Sequence, residues 1–269
     1  MSGKSERERV AVVTGAGSGI GAAIAARFGA RGWKVILGGR REKPLRETAA
    51  MVEARGGTAV ICPADVTVPE DVRRLIDAAG ERLDALVHSA GQGHCLTIDE
   101  LDFHEWRRTL EVAATGAFLT AKEALPKLRT GTDGDGFVIQ ICSLASGGTW
   151  HLEVGYGTAK AAQLKFALHL ASQFAEEKRS GGRTLHSLAV CPGTTYTPFW
   201  DRIPERPPDP NLTLTADEVA WVVDRWIDHP AATAETLEKE KPRSQIVVKR
   251  HPPFEAWDNV VAIAHESHP

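Results

Sequence analysis

"TGAGSGIG", residues 14 to 21, follows the apolar run "VAVVT" (10–14) and leads into "AAIAARFGARG" (22–32). Gly15, Gly19 and Gly21 lie where a strand must turn tightly into a helix and let a ligand approach the backbone. The start of that helix presents N–H groups with no partner inside the helix, together with the positive end of its dipole. Both suit a pyrophosphate. A glycine-rich string alone is compatible with a bare structural turn. Its place between the first strand and first helix of an alternating chain makes it a dinucleotide-binding fingerprint.

The alternation continues outward. Apolar runs recur at "KVILG" (34–38), "TAVIC" (58–62), "LDALVHS" (83–89), "GFVIQIC" (136–142), "TLHSLAV" (184–190) and "SQIVV" (244–248), with segments rich in Ala, Glu, Arg and Leu between them. Strands that are apolar throughout and alternate with helices indicate a parallel sheet covered on both faces. The expectation is an α/β chain: a single-domain, Rossmann-type, doubly wound parallel sheet of seven strands, with residues 1–269 as one dinucleotide-binding and catalytic domain. "TGTDGDG" (130–136) reads as a surface turn. The proline-rich "WDRIPERPPDPNLT" (200–213) cannot be helix or central strand. It falls in a substrate-loop region, 194–214, and its apolar lead-in, Phe199 and Trp200, favours a lid over a plain connector.

Composition excludes several classes. The 42% hydrophobic and 25% charged content of the 269 residues is that of an ordinary globular protein. A net charge of -3 gives no basic footprint for nucleic acid or anionic membranes. "MSGKSERERV" lacks the apolar stretch of a secretory signal, and no run is long enough to span a bilayer, so a cytoplasmic protein is expected. Cys62, Cys95, Cys142 and Cys191 are far apart, and the ten histidines lack metal-ligand spacing. Neither a disulfide framework nor a metal site is expected.

Two further stretches bear on chemistry. After the second strand the chain reads "VILGGRRE", placing Arg40 and Arg41 where an NAD-binding domain carries an acidic residue. Guanidinium groups match a 2′-phosphate, so NADP(H) is favoured over NAD(H), the alternative being two solvated charges at a helix start. "YGTAK" (156–160) sets Tyr156 and Lys160 four apart, neighbours on one helix face. That spacing alone does not separate a proton-transfer pair from two residues sharing a face.

In this order, "TGAGSGIG", "YGTAK" and "CPGTTYT" (191–197) resemble the TGxxxGIG, YxxxK and PGxxxT motifs of the short-chain dehydrogenase/reductase family, over roughly residues 9 to 250. The resemblance implies a Ser-Tyr-Lys unit whose serine lies thirteen residues before the tyrosine. Ser143 stands there, with Ser146 as a fallback. Tyr156 would deliver the proton, Ser143 would hold the carbonyl oxygen, and Lys160 would lower the tyrosine pKa and hold the nicotinamide ribose. Cofactor contacts are implied for Gly15, Ser18, Gly19, Ile20 and Gly21, and for Asp65 and Val66 of "ADVT" at the adenine. They are also implied for Ala90 and Gly91 after the fourth strand, for Pro192, Gly193, Thr195 and Thr197, and for Tyr156 and Lys160 themselves. The implied reaction interconverts a carbonyl compound and a secondary alcohol by hydride transfer. A non-catalytic NADP(H)-binding sensor or scaffold, and an epimerase or dehydratase on the same fold, are the alternatives.

The sequence departs from the family in three places. The NNAG turn reads "HSAG", with His88 and Ser89 for the asparagines, and His88 reads as a satisfied strand-end residue. Ala113 replaces the asparagine that in the family helps keep a water linking the lysine to solvent. The tail, 250–269, lacks the family's glycine-rich ending, and its "FEAWDNVVAIA" (254–264) reads as a short amphipathic helix.

Gln92, His94, Cys95, Thr149 to Leu152, Tyr196, Phe199 and Trp200 fall near the expected substrate cavity. Trp150 and Trp200 point to an apolar or ring-bearing carbonyl substrate, and His94 and His151 offer hydrogen bonds, though each is equally open to plain packing. Across 101–128 an apolar stripe runs through Leu101, Phe103, Trp106, Leu110, Ala114, Ala117, Phe118 and Ala121. Together with the family's dimer interface it points to a homo-oligomer, a dimer or homotetramer.

Overall fold

The computed structural model describes residues 7–131, 134–203, 207–210, 212–228, 245–250 and 260–264, the last two stretches as main chain. Six parallel strands form the body of the sheet: β1 (Val10–Thr14), β2 (Lys34–Gly39), β3 (Thr58–Pro63), β4 (Ala85–His88), β5 (Gly136–Ile141) and β6 (Leu185–Pro192). Their order, β3-β2-β1-β4-β5-β6, reverses direction between β1 and β4, and a crevice opens at the carboxyl ends there. β1, β4 and β5 are buried along their whole length, the condition that makes their sequences apolar apart from Thr14, His88 and Gln140 near their carboxyl ends.

Helices cover both faces. α1 (Gly19–Ala30), α2 (Glu42–Glu53) and the late helix Ala216–Asp228 enclose one core, in which Ile24 and Phe28 meet Leu45, Val219 and Trp226 over Val13 and Val87. α3 (Pro69–Asp77), a helical run from 103 to 129 and Val154–Arg179 enclose the other, with Leu75, Ala124, Leu128 and Phe174 over Val12, Leu86 and Val138. The run from 103 to 129 is not one regular helix. It comprises α4 (Phe103–Leu110), a π-helical turn (Glu111–Thr115) and α5 (Gly116–Arg129). Ala117 and Ala121 of its apolar stripe are buried, whereas Phe103 and Phe118 are exposed.

The end of the chain corrects two expectations. Two short strands, β7 (Thr195–Tyr196) and β8 (Leu214–Thr215), pair in parallel and join the two ends of the 194–214 region, ahead of the late helix, numbered α7 after α6 (Val154–Arg179). Beyond β6 the sheet continues with β9 (Gln245–Arg250), parallel, and β10 (Val260–Ala264), antiparallel to β9. Among the described residues the sheet therefore has eight strands, where seven were expected. Val260–Ala264 forms a strand, not the end of an amphipathic helix, because the open edge of β9 supplies backbone partners that outweigh local helix preference. Residues 251–259 of the tail lie outside the described residues.

At the crevice, a buried polar chain joins β1, β4 and the π turn. Thr14 Oγ1 accepts hydrogen bonds from the Ser89 and Ala90 N–H groups, 3.1 Å each, which leaves its own hydrogen for His88 Nδ1 at 3.3 Å. The other ring nitrogen, Nε2, donates to the Val112 carbonyl at 3.2 Å, which fixes the tautomer because a carbonyl only accepts. Thr120 Oγ1 lies 3.3 Å from Nδ1 and donates to the Gly116 carbonyl. His88 is thus the satisfied strand-end histidine that the sequence indicated.

Burial, and next the charge of Lys160, push the His88 pKa down to about 3. The fold holds His88 neutral, whereas the unfolded chain protonates it near the ordinary value of about 6.5. Stability from this group is present above that value and is lost as pH falls toward 3, at about 1.4 kcal/mol per pH unit. His88→Asn should flatten this acid limb in denaturant melts run from pH 7 to pH 4. It should also lower stability at pH 7 by about 1–2 kcal/mol through the lost bond to Val112.

Candidate active site

The cradle forms where β1 turns into α1. Gly15 has φ +63° and Gly19 φ +56°, a region that L side chains rarely adopt. A Cβ on Gly15 would lie 2.8 Å from the Ala90 nitrogen, so the first turn and the "HSAG" turn approach as closely as backbone allows. Gly21 is not on the cavity wall. Its Cβ would lie 2.4 Å from the Gly15 carbonyl oxygen, so it serves the packing of α1 onto its own turn. Ser18, at the N-cap, makes no side-chain bond into the helix, and Ser18, Gly19 and Ile20 face the cavity.

That cavity, about 520 Å³, runs from the cradle to the amino end of α6. Ser143, Tyr156 and Lys160 line it together with Pro192, Gly193, Thr195 and Thr197. A smaller recess of about 130 Å³ adjoins it and shares Gly15, Ser18, Arg40, Arg41 and Gly91 as walls. Asp65, Val66 and Ala90 line the recess. A long polar cleft with a glycine cradle and helix N–H groups at its middle fits a nicotinamide dinucleotide.

α6 supplies the pair that opened the chemical question. Tyr156 and Lys160 stand one turn apart, with the ammonium 5.8 Å from the centre of the phenol ring. Ser143 follows β5 in extended conformation and starts a short turn, Leu144–Ser146. Its Oγ accepts from the Ala145 N–H at 3.1 Å, and Ser146 Oγ accepts from the Ser143 N–H at 3.2 Å. The fallback serine therefore holds the backbone of Ser143 and does not line the cavity. Burial pushes the Tyr156 phenol above its ordinary pKa, the hydrogen bond with Ser143 pulls it down, and the nearby Glu153 carboxylate pushes it up again. Burial also lowers the pKa of Lys160, whose Nζ donates to the Ile141 carbonyl at 2.8 Å and to Gln163 Oε1 at 2.9 Å.

In the recess, Asp65 receives Arg108 NH2 at 2.6 Å on one carboxylate oxygen and the Thr67 N–H and hydroxyl on the other. Burial works against its charge, but the bonds from Thr67 and Arg108 outweigh it and hold the carboxyl below its usual range. Arg40 and Arg41 are exposed on the wall shared by recess and cavity, with no ion pair to either among the described residues.

Of the residues expected near the substrate, Gln92, Trp150, Phe199 and Trp200 line the cavity. His94, Cys95, Thr149, His151, Leu152 and Tyr196 are not on its wall; His94 Nε2 instead meets Glu105 at 2.8 Å. Glu153 and Arg202 also line it, and Arg108 lines the recess. Nothing in the local sequence marked these three. Gly93 was equally unmarked, yet its Cβ would lie 2.3 Å from Tyr156 Cδ2, so a bare backbone supports one side of the phenol ring. The Phe199 ring lies 5.5 Å from it, centre to centre.

Residues 9–208 match the family of short chain dehydrogenases. The chain belongs to the short-chain dehydrogenase/reductase family. Among its relatives is the short-chain reductase protein NovJ of Streptomyces niveus, 34% identical over 203 residues, which are 74% of each chain. Another is 3beta-hydroxysteroid dehydrogenase 1 of Eggerthella lenta, 32% identical over 195 residues, 71% of this chain and 72% of the relative. The fold is also that of an alcohol dehydrogenase from Thermococcus sibiricus complexed with 5-hydroxy-NADP, at TM-score 0.73 and 24% identity over 93% of this chain and 99% of that one. A short chain dehydrogenase/reductase from Burkholderia phymatum in complex with NAD superposes at TM-score 0.74 and 23% identity, over 87% and 96%. The family assignment makes the chain an oxidoreductase. No helix among the described residues is long and apolar enough to cross a membrane, and no group of metal-binding side chains occurs among them.

Gly93→Ala should displace the phenol ring without straining the backbone, since Gly93 is not among the residues of positive φ. Turnover of any substrate that the wild type accepts should fall by about 10- to 100-fold. Dinucleotide affinity and melting temperature should stay close to wild type in the same preparation.

Proposed function

We propose that the protein is an NADP(H)-dependent oxidoreductase interconverting a carbonyl compound and a secondary alcohol. The observation that carries this reading is the convergence of Ser143, Tyr156 and Lys160 on the cavity that the glycine cradle also lines. When bound, the nicotinamide would supply or take up the hydride. Ser143 orients the carbonyl oxygen by donating from its hydroxyl, and Tyr156 gives that oxygen its proton. Because burial raises its pKa, the phenol is protonated at neutral pH and suited to reduction. The reverse direction needs the phenolate, which the positive charges of Lys160 and of an oxidised nicotinamide would favour. The residues proposed to hold the cofactor are those already placed: the cradle for the pyrophosphate, Asp65 and Val66 at the adenine, and Lys160 at the ribose.

NADP(H) rather than NAD(H) is supported by Arg40 and Arg41, which replace a carboxylate at the end of β2 and stand on the cleft wall. Trp150, Phe199 and Trp200 support an apolar or ring-bearing substrate. A cytoplasmic homo-oligomer, dimer or tetramer, completes the reading. The exposed Phe103 and Phe118 support it.

Two measurements test the proposal. With only Tyr156 and Tyr196 in the chain, phenolate absorbance against pH can be read for one residue, using Tyr156→Phe as the blank. With NADP⁺ bound, Tyr156 should titrate well below about 10. A midpoint at or above that value would favour the non-catalytic binding protein. Replacing Arg40 and Arg41 together by alanine should weaken NADPH binding by about 10- to 100-fold in a fluorescence titration, and NADH binding by much less. Equal losses for both would sink the NADP preference.

A further inference from the structure

We infer that Gln163 is a positioning residue, whose side-chain oxygen fixes the Lys160 ammonium at the cavity wall beside Tyr156. The inference rests on the proposed function and assigns a new part to the same site. Gln163 lies three residues after Lys160 on α6, within the buried stripe of Ala159, Leu164, Ala167 and Leu170. That stripe calls for an apolar side chain there. A wholly buried amide in its place needs partners for both its ends.

The partners define a one-way chain. An ammonium only donates, so Gln163 must turn its oxygen toward Lys160, at 2.9 Å. Its NH₂ then faces away and donates to Gln140 Oε1 at 3.0 Å. Gln140, on β5, must in turn present its oxygen, which leaves its own Nε2 with no hydrogen-bond partner among the described residues. The fold tolerates that orphaned donor and keeps the lysine contact. Lys160 gives a second hydrogen to the Ile141 carbonyl, so two of its three are held and one remains for the cavity wall by Gly91.

Both acceptors are neutral, and this matters for Tyr156. The titratable groups facing Lys160 are His88 from β4, Cys142 after β5, Cys191 of β6 and Tyr156 itself. Burial holds His88 neutral and the Cys142 thiol protonated. A carboxylate does lie beside the phenol, that of Glu153 at the start of α6. Gln163 therefore anchors the ammonium without cancelling its field. A glutamate would hold it as firmly and offset its charge.

The test uses the full chain with NADP⁺ bound and reads the Tyr156 phenolate midpoint, with kcat and KM on a ketone the wild type reduces. Gln163→Met removes the acceptor and should raise the midpoint by about one pH unit. It should lower kcat by about tenfold or more with little change in KM. Gln163→Glu, which keeps an acceptor, should raise the midpoint at least as far through its charge. If Gln163→Met does not fold, Gln163→Leu, which also removes the acceptor without adding charge, makes the comparison. Unchanged midpoints in the folded variants, with only the melting temperature lowered, would reduce Gln163 to packing and overturn the inference. The wild-type midpoint tests the proposed function, and the difference between wild type and variant tests Gln163. The two can therefore fail separately.

Discussion

The contact between the turn after β1 and the turn after β4 sets the geometry of everything above the sheet. Gly15 lies so near Ala90 that a single methyl would collide with backbone, and Thr14 receives both N–H groups of the opposing turn. This closeness has a simple source. Adjacent parallel strands end level with one another, and their last polar groups must find partners inside the crevice they create. Once they are satisfied there, the start of α1 and the wall carrying Gly91 take fixed positions. The cavity between them is a consequence of that packing.

The same constraint joins two residues that look unrelated in sequence, His88 and Ala113, at both of which the resemblance implied an asparagine. In the fold they meet: His88 Nε2 holds the carbonyl of Val112, the residue before Ala113, in the π turn. A π turn widens the helix by one residue and leaves carbonyls outside the regular ladder. Here the histidine ring supplies a donor to that turn. Ala113 itself is buried, and its methyl adds no polar group to satisfy.

The legible parts of the molecule were those fixed by periodicity or by local chemistry. Strands covered on both faces announce themselves as apolar runs, which is why β1 to β6 could be bounded within a residue or two. Ahead of β4 stands Asp84, its carboxylate taking the Val10 N–H and the guanidinium groups of Arg82 and Arg183. Positive-φ glycines and the Tyr-Lys spacing were equally local. Arg108, Gly93 and Gln163 were not readable, because each acts through a partner brought near by tertiary packing. Arg108 looks like any solvent-facing charge of an amphipathic helix until Asp65 is placed beneath it. The tail was misread for a different reason: "VVAIA" suits either period, and only the neighbouring edge of β9 decides.

The pairing of β7 with β8 brings the two ends of the 194–214 region together, Thr195 beside Leu214 and Tyr196 beside Thr215. What lies between is a closed excursion whose feet do not move with its length. Lengthening such an excursion costs little in closure entropy, which grows only slowly with the number of residues. The segment that carries Phe199, Trp200 and Arg202 can therefore be exchanged or extended while α7 and the sheet stay in register. Changes there alter the cavity lining while the feet stay fixed, and reach Tyr156 through the Phe199 ring beside it.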